Sequence, residues 1–207
     1  EFFEVHNPTA ARVDLTDWRV RGGVDFDFPS GMVLDPSGTL IVVSFDPDLP
    51  NNVSHLAAFR EHFQLDPAAR IVGGYARQLA NTSDRIQLQR PDQSAAVPPE
   101  SPVHVWEDEV LYRTFPPWPA ADGNGQSLTR RASQAFGSDA SSWSAARPTP
   151  GFVHFKSPDL NGDGRVDVLD VDQLAAGIRD LDPRADLNGS GEATFDDMSF
   201  MVHSVLR

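Results

Sequence analysis

Near the C-terminal end the chain reads DLNGDGRVDVLD over residues 159–170, which places Asp159, Asn161, Asp163, Asp167 and Asp170 around a single Gly164. Carboxylates held this close repel one another unless something neutralises them. A hard divalent cation does so directly. Calcium takes roughly six to eight oxygen ligands, and a twelve-residue loop supplies them from positions 1, 3, 5, 7, 9 and 12, with glycine at position 6 for the sharp turn. The stretch fits each position in order: Asp159, Asn161, Asp163, Gly164, the carbonyl of Arg165, Asp167 directly or through water, and Asp170. Position 12 is Asp where Glu is the commoner residue, so its shorter arm must come closer to ligate with both oxygens.

Asp, Asn and Gly are also the residues of ordinary solvated turns. A second copy argues against that reading. A shift of 27 residues gives DLNGSGEATFDD over residues 186–197, where Asp186, Asn188, Ser190, Gly191, the carbonyl of Glu192, Thr194 and Asp197 take the same positions. The apolar residues behind the loops repeat too, with Val171, Leu174 and Ile178 matching Met198, Met201 and Val205 at the spacing of one helix face. Two loops, each leading into an amphipathic helix, imply two bound calcium ions. The second loop has only Asp186 and Asp197 as charged side-chain ligands and is expected to be the weaker site, because ligand charge tunes affinity.

This duplicated loop and helix, spanning about residues 158–206, resembles a type I dockerin. The resemblance implies a small calcium-folded module of two antiparallel helices that plugs into a cohesin domain on another protein. One feature departs from the cellulosomal pattern. The residues after the ninth loop position, often Ser and Thr there, are Val168 and Leu169 in one copy and Phe195 and Asp196 in the other. The module stands, and its partner is expected to differ from a cellulosomal cohesin: a cohesin-like domain suited to an apolar pair, or a second copy of the chain.

Charge follows the same division. Residues 157–207 carry eleven acids and four bases, net −7, and residues 1–156 carry nineteen and thirteen, net −6. With an overall charge of −13 and Lys156 as the sole lysine, the chain has no basic stripe to neutralise phosphates, which argues against a nucleic-acid partner. No apolar run approaches the length of a membrane-spanning helix. Cysteine is absent, which excludes disulfides, thiolate-bound zinc and thiol catalysis but does not assign a compartment. Loops of this type are filled at the calcium levels found outside cells, so the expected location is extracellular or at the cell surface.

Residues 1–150 read as β-structure. EFFEVHN alternates, with Phe3 and Val5 on one face, and WRVRGGVDFDF continues with Trp18, Val20, Val24, Phe26 and Phe28. GTLIVVSF is an apolar run bounded by turn residues, as in a buried strand. Further strands are expected at residues 85–89 and 103–113, and SHLAAFREHF over residues 54–63 is the one convincing helix. Short strands separated by Pro, Gly and Asn turns predict a β-sandwich.

Specific residues in this part resemble a bacterial lamin tail domain: Glu4, Asn7, Pro8, Val13, Asp14, Leu15, Trp18, Phe28, Pro29, Gly31, Leu34, Pro36 and Gly38, with DRIQLQRPD, GQSLTRR and SSWSAARPTPG resembling its closing strands. The resemblance implies an immunoglobulin-like β-sandwich without catalytic activity, of the kind that accompanies bacterial surface and secreted proteins. The expected organisation is therefore a mainly β sandwich over residues 1–151, a linker over 152–157 and the small α-helical calcium module over 158–207. Members of that family begin with a further strand upstream of the Glu-rich motif. Opening on Glu1 without an initiator Met suggests a processed or trimmed product, and the vacant strand position is expected to be filled by a neighbouring molecule or a rearranged segment of the chain.

No catalytic set emerges. Glu107, Asp108 and Glu109 have the residue types of a glycosidase pair but read as an exposed acidic segment at a strand bend. The six histidines show no ligand spacing, and no hydroxyl lies in a nucleophile motif. Trp106, Tyr112, Phe115 and Trp118 among prolines suit a sugar or peptide platform, although core filling is the expected role. The chain thus reads as a non-catalytic adaptor with a calcium-dependent docking module. The alternatives are a subunit of an extracellular fibre or layer built by strand exchange, and an accessory region of a larger secreted hydrolase.

Overall fold

Four consecutive apolar residues, Leu40, Ile41, Val42 and Val43, are completely shielded from solvent, which requires a strand covered on both faces. The computed structural model describes residues 1–92, 103–133, 135–151, 160–161, 166–182, 185–187, 192–198 and 201. Its elements are β1 (Phe2–His6), β2 (Val13–Asp14), β3 (Arg19–Gly22), β4 (Val24–Asp27), β5 (Val33–Leu34), β6 (Thr39–Val43), α1 (Val53–Phe63), β7 (Arg70–Gly73), β8 (Ala76–Arg77), β9 (Ser83–Pro91), β10 (His104–Arg113), β11 (Ser127–Arg130), β12 (Trp143–Ala146) and α2 (Val168–Arg179). The chain is mainly β, in several sheets.

Strand β6 is the centre of a three-stranded sheet in the order β1-β6-β7. It pairs antiparallel with β1, Val5 opposite Leu40, and parallel with β7, Ile41 opposite Ile71. A parallel pair needs a crossover, and α1 provides it. The helix begins after a turn of 3-10 helix over Pro50–Asn52 and ends at Gln64, whose left-handed backbone lets its N–H return to the last turn. Phe59 and Phe63 hold α1 to the sheet through edge-to-face contacts with Phe2, at 5.7 and 5.6 Å between ring centres.

A five-stranded sheet, in the order β10-β9-β3-β4-β8, contributes the rest of the core. Val20, Val24 and Phe26 from this sheet and Val5, Leu40 and Val42 from the other form one buried cluster with Leu15, Phe28, Leu34 and Tyr75. The alternation across WRVRGGVDFDF turns into a tight β3-β4 hairpin, Val20 opposite Phe26. Gly22 allows the turn. Its φ of 126° suits glycine, and a Cβ there would lie 2.1 Å from the Arg85 carbonyl oxygen of β9. The neighbouring Gly23 N–H donates to that same oxygen at 2.7 Å.

The Asn-Pro motif has a structural role. Buried Asn7 donates from Nδ2 toward the carbonyls of Ala11, Leu34 and Asp35 at 2.8 to 3.2 Å, and its Oδ1 accepts from the Thr9 N–H and hydroxyl. One side chain thus ties the end of β1 to the β5 turn. The expected strands at residues 85–89 and 103–113 are the long β9-β10 pair, interrupted where the register shifts between Trp106 and Asp108. The expectation that the aromatics of this region fill the core holds for Trp118, which is buried near Trp143, but not for Trp106 and Phe115, which are 63% and 51% exposed.

A cavity of about 1090 Å³ is lined by β1 together with residues of β10 and β11 and of the core-facing side of β3 and β9. The expected linker over residues 152–157 lies outside the described residues.

The chain contains two tyrosines, Tyr75 buried and Tyr112 half-buried. Burial, followed by the hydrogen bond to Glu1, drives the Tyr75 phenol well above its ordinary value, and burial, followed by the charges of Asp84 and Glu1, pushes Tyr112 up to about 12. A raised phenol stabilises the fold fully below the pKa of about 10 that it has when unfolded, and that stability is lost as pH rises through the folded value. Stability is therefore expected to be flat to about pH 10 and to fall from there toward pH 12, with phenolate absorbance appearing together with the loss of β-sheet circular dichroism. Leu40→Ala should cost about 2–5 kcal/mol in denaturant melts, whereas exposed Leu49→Ala should stay within about 0.5.

Candidate functional site

At the C-terminal end a second, separate hydrophobic cluster repeats itself. Leu174, Leu187 and Met201 are buried there with Ala185, and Leu160, Val166, Val171, Ala193 and Met198 pack against them. Leu160 and Leu187, Val166 and Ala193, Val171 and Met198, and Leu174 and Met201 are all pairs 27 residues apart. The duplicated sequence therefore builds a duplicated core. The first helix of the repeat is α2, and residues 195–198 and 201 are helical at the equivalent place in the second.

Each helix starts in the same way. Asp167 caps α2, its carboxylate accepting from the Leu169 N–H at 2.9 Å, and the Asp167 N–H donates in return to Oδ2 of Asp170 at 2.9 Å. This reciprocal pair is a capping box with Asp at its third position. In the second copy the Thr194 N–H donates to Oδ2 of Asp197 at 2.7 Å. Asp170 and Asp197, both at position 12 of their loops, are completely buried, and so is Asp186 at position 1 to within 4%.

The Asp170 carboxylate does more than cap. Its Oδ1 accepts from the N–H groups of Leu160 and Asn161 at 2.7 and 3.1 Å, so position 12 is fastened to positions 2 and 3 as well as to position 9. The loop is closed from end to end by one side chain. The Asp167 N–H foremost, then those of Asn161 and Leu160, holds this carboxyl below the ordinary aspartate range against the opposing effect of burial.

These residues have the chemistry that a hard cation requires: oxygen donors, three of them on buried aspartates, with Asp170 and Asp197 held by backbone N–H groups. Asn161, Asp167, Asp170, Asp186, Glu192, Thr194 and Asp197 lie within the described residues, and Asp159, Asp163, Arg165, Asn188 and Ser190 lie outside them. Among the described residues no group of three or more His, Asp or Glu converges closely enough to hold a metal ion.

Next to the buried carboxylates sits the opposite surface character. Val168 and Phe195, equivalent residues at position 10, are 68% and 79% exposed, and Leu169 beside them is exposed as well. Apolar side chains at the first turn of both helices thus face solvent.

In the β-region, Glu107 lies at the register shift in β10 and forms an exposed pair with Arg90 at 2.7 Å. Asp108 instead pairs with Arg130 at 2.6 Å, and the Arg130 guanidinium lies 5.1 Å from the Trp143 ring centre. Glu109 accepts from Gln87 Nε2 at 2.8 Å. The three acids thus engage three different partners. Sequence reasoning missed the polar row that Glu109 belongs to, although the alternation of Gln87 and Gln89 with Ile86 and Leu88 is its signal.

Comparison of the chain with protein-family models, with curated proteins and with solved structures finds no match in any of the three.

Two substitutions separate capping from loop closure. Asp167→Ala should weaken α2 by about 1 kcal/mol, the usual worth of an N-cap. Asp170→Ala, which removes the acceptor of three backbone N–H groups, should lower helical circular dichroism at 222 nm much further. Both should leave the near-ultraviolet signal of the tryptophans unchanged, because the two hydrophobic clusters share no residue.

Proposed function

We infer that the chain is a non-catalytic extracellular adaptor, in which an immunoglobulin-like sandwich of the lamin-tail type carries a dockerin-like module that binds two calcium ions. The observation that carries this reading is the repeat at the C-terminal end: a buried core of residues paired 27 apart and a buried position-12 carboxylate tied to position 9 in both copies. Calcium would be held by Asp159, Asn161, Asp163, the Arg165 carbonyl, Asp167 and Asp170 in the first loop. Asp186, Asn188, Ser190, the Glu192 carbonyl, Thr194 and Asp197 would hold it in the second. The metal supplies positive charge to a tail of net −7 and couples its own binding to folding of the loops.

Docking is read from the exposed apolar residues at the helix starts. Val168, Leu169 and Phe195 stand at related positions on the two repeats and suit a protein partner with an apolar face. Calcium would order that surface without touching it, since the carboxylates that close the loops also cap the helices. No step of catalysis belongs to this reading. No helix among the described residues is long and apolar enough to cross a membrane.

The cavity beside β1 favours a second reading, a fibre or layer subunit in which a strand from a neighbour lies along that sheet. An adaptor stays monomeric in solution, whereas a strand-exchanged subunit grows in mass with concentration. Light scattering across a concentration series separates the two.

Titration calorimetry is expected to give two calcium ions per chain, with Asp159→Ala weakening binding more than Ser190→Ala because it removes a charged ligand. Calcium at about 100 times its dissociation constant should stabilise the tail by about 2.7 kcal/mol. Absence of calcium binding would reject the reading.

A further inference from the structure

The outer face of the five-stranded sheet, turned away from the core, carries a built row of polar side chains. Asp27, Arg19, Gln89 and Trp106 are cross-strand neighbours on β4, β3, β9 and β10. Arg21, Gln87 and Glu109 form the next row on the last three of these strands. The two glutamines are nearly buried although they face away from the core. They are locked in sequence: Arg19 Nε donates to Gln89 Oε1 at 2.8 Å, Gln89 Nε2 to Gln87 Oε1 at 3.3 Å, and Gln87 Nε2 to Glu109 Oε1 at 2.8 Å.

At one end of this network Trp106 is 63% exposed. At the other, a depression of about 590 Å³ is lined by Arg21, Asp25, Arg77, Arg85, Gln87 and Leu111. Between the β9 partners of Trp106 and Leu111, Gln89 and Arg85, lie four residue steps, roughly 13 Å along the strand. The arginines lining the depression lie beside acids, Arg21 with Asp27 at 2.5 Å, Arg77 with Asp25 at 3.7 Å and Arg85 with Glu109 at 3.9 Å, while Arg19 is bonded to Gln89. On a chain of net charge −13, this face offers paired charges in place of a field of either sign.

We propose that this face is a binding site for a neutral polysaccharide, with Trp106 as its stacking platform. A sugar ring has an apolar C–H face and a rim of hydroxyls that both donate and accept. The site offers the complement of each: an exposed indole face, and a row of amides, carboxylates and guanidinium groups with donors and acceptors side by side. Because the row is already hydrogen-bonded on rigid strands, binding orders few side chains. With Arg21, Arg77 and Arg85 beside acids and Arg19 engaged by Gln89, the face does not present the cluster of free positive charge that a phosphate or uronate polymer would need. The length between Trp106 and Leu111 suits a short run of linked rings. The register shift at Glu107 matters here, because it lets Trp106 share a face with Glu109 and Leu111, three and five residues further on.

This site lies wholly within the β-region and stands whether or not the tail binds calcium. The experiment is electrophoresis of the full chain through native gels containing hydroxyethylcellulose, galactomannan, arabinoxylan or polygalacturonate, in calcium and again in chelator. Retardation is expected in at least one of the three neutral gels, in both buffers. Trp106→Ala should weaken it about tenfold, and Phe136→Ala, at an exposed aromatic that lines the cavity beside β1 and not this row, should leave it intact. Retardation in none of the neutral gels, retardation by polygalacturonate alone, loss of binding in chelator, or binding that survives Trp106→Ala would each overturn the proposal. A failed gel assay leaves the calcium titration unaffected, so the two readings fail separately.

Discussion

Everything at the C-terminal end depends on how a buried carboxylate is compensated. Asp170 sits completely out of solvent, where an isolated negative charge would be costly. Three backbone N–H groups converge on it instead, two from the start of the loop and one from the cap of α2. Those bonds fix the ends of the loop relative to the helix, which in turn sets where Val171, Leu174 and Ile178 meet the rest of the cluster. Asp197 repeats the arrangement with Thr194. The same carboxylates that a cation would use are therefore the ones that organise the backbone, so metal binding would act on the atoms that also direct folding.

The β-region is governed by a different constraint, the burial of β6 on both faces. A strand this apolar must be central, and its neighbours follow: β1 on one side in a simple antiparallel pair, β7 on the other through the α1 crossover. Asn7 then locks the exit of β1 by donating to carbonyls of the neighbouring turns, Ala11, Leu34 and Asp35. Mutual burial of Val5, Leu40 and Val42 against Val20, Val24 and Phe26 joins the two sheets.

Much of this was legible from residue patterns, for physical reasons that differ from one element to the next. GTLIVVSF announced a buried strand because Leu40 to Val43 offer solvent no polar side chain on either face. Residues 54–63 announced α1 through helical spacing, and the structure begins that helix one residue earlier. The repeat was legible because spacing, residue type and duplication agree, and the structure adds that its apolar partners pair with the same 27-residue shift. What alternation could not supply was the side of the sheet. Across the irregularity at Trp106–Asp108 the period of two is broken, so a count made along β10 assigns Trp106 to the wrong face. The Gly22–Gly23 turn was similarly hidden, since the apolar alternation runs on through it while the backbone reverses. Among the expected calcium ligands, seven lie in the described residues, where Asp170 and Asp197 prove to be loop closers as well as candidate ligands.

The central claim is that the C-terminal repeat owes its fold to compensation of its buried carboxylates and that calcium completes this compensation without involving the β-region. Hydrogen exchange of the full chain, followed by mass spectrometry of peptides in calcium and in chelator, tests it most directly. The account predicts that chelator strips protection from peptides covering α2 and the second repeat, while peptides covering β6 and its partners exchange as slowly as before. Equal protection in both buffers, or loss of protection in the tail and in β6 together, would contradict it.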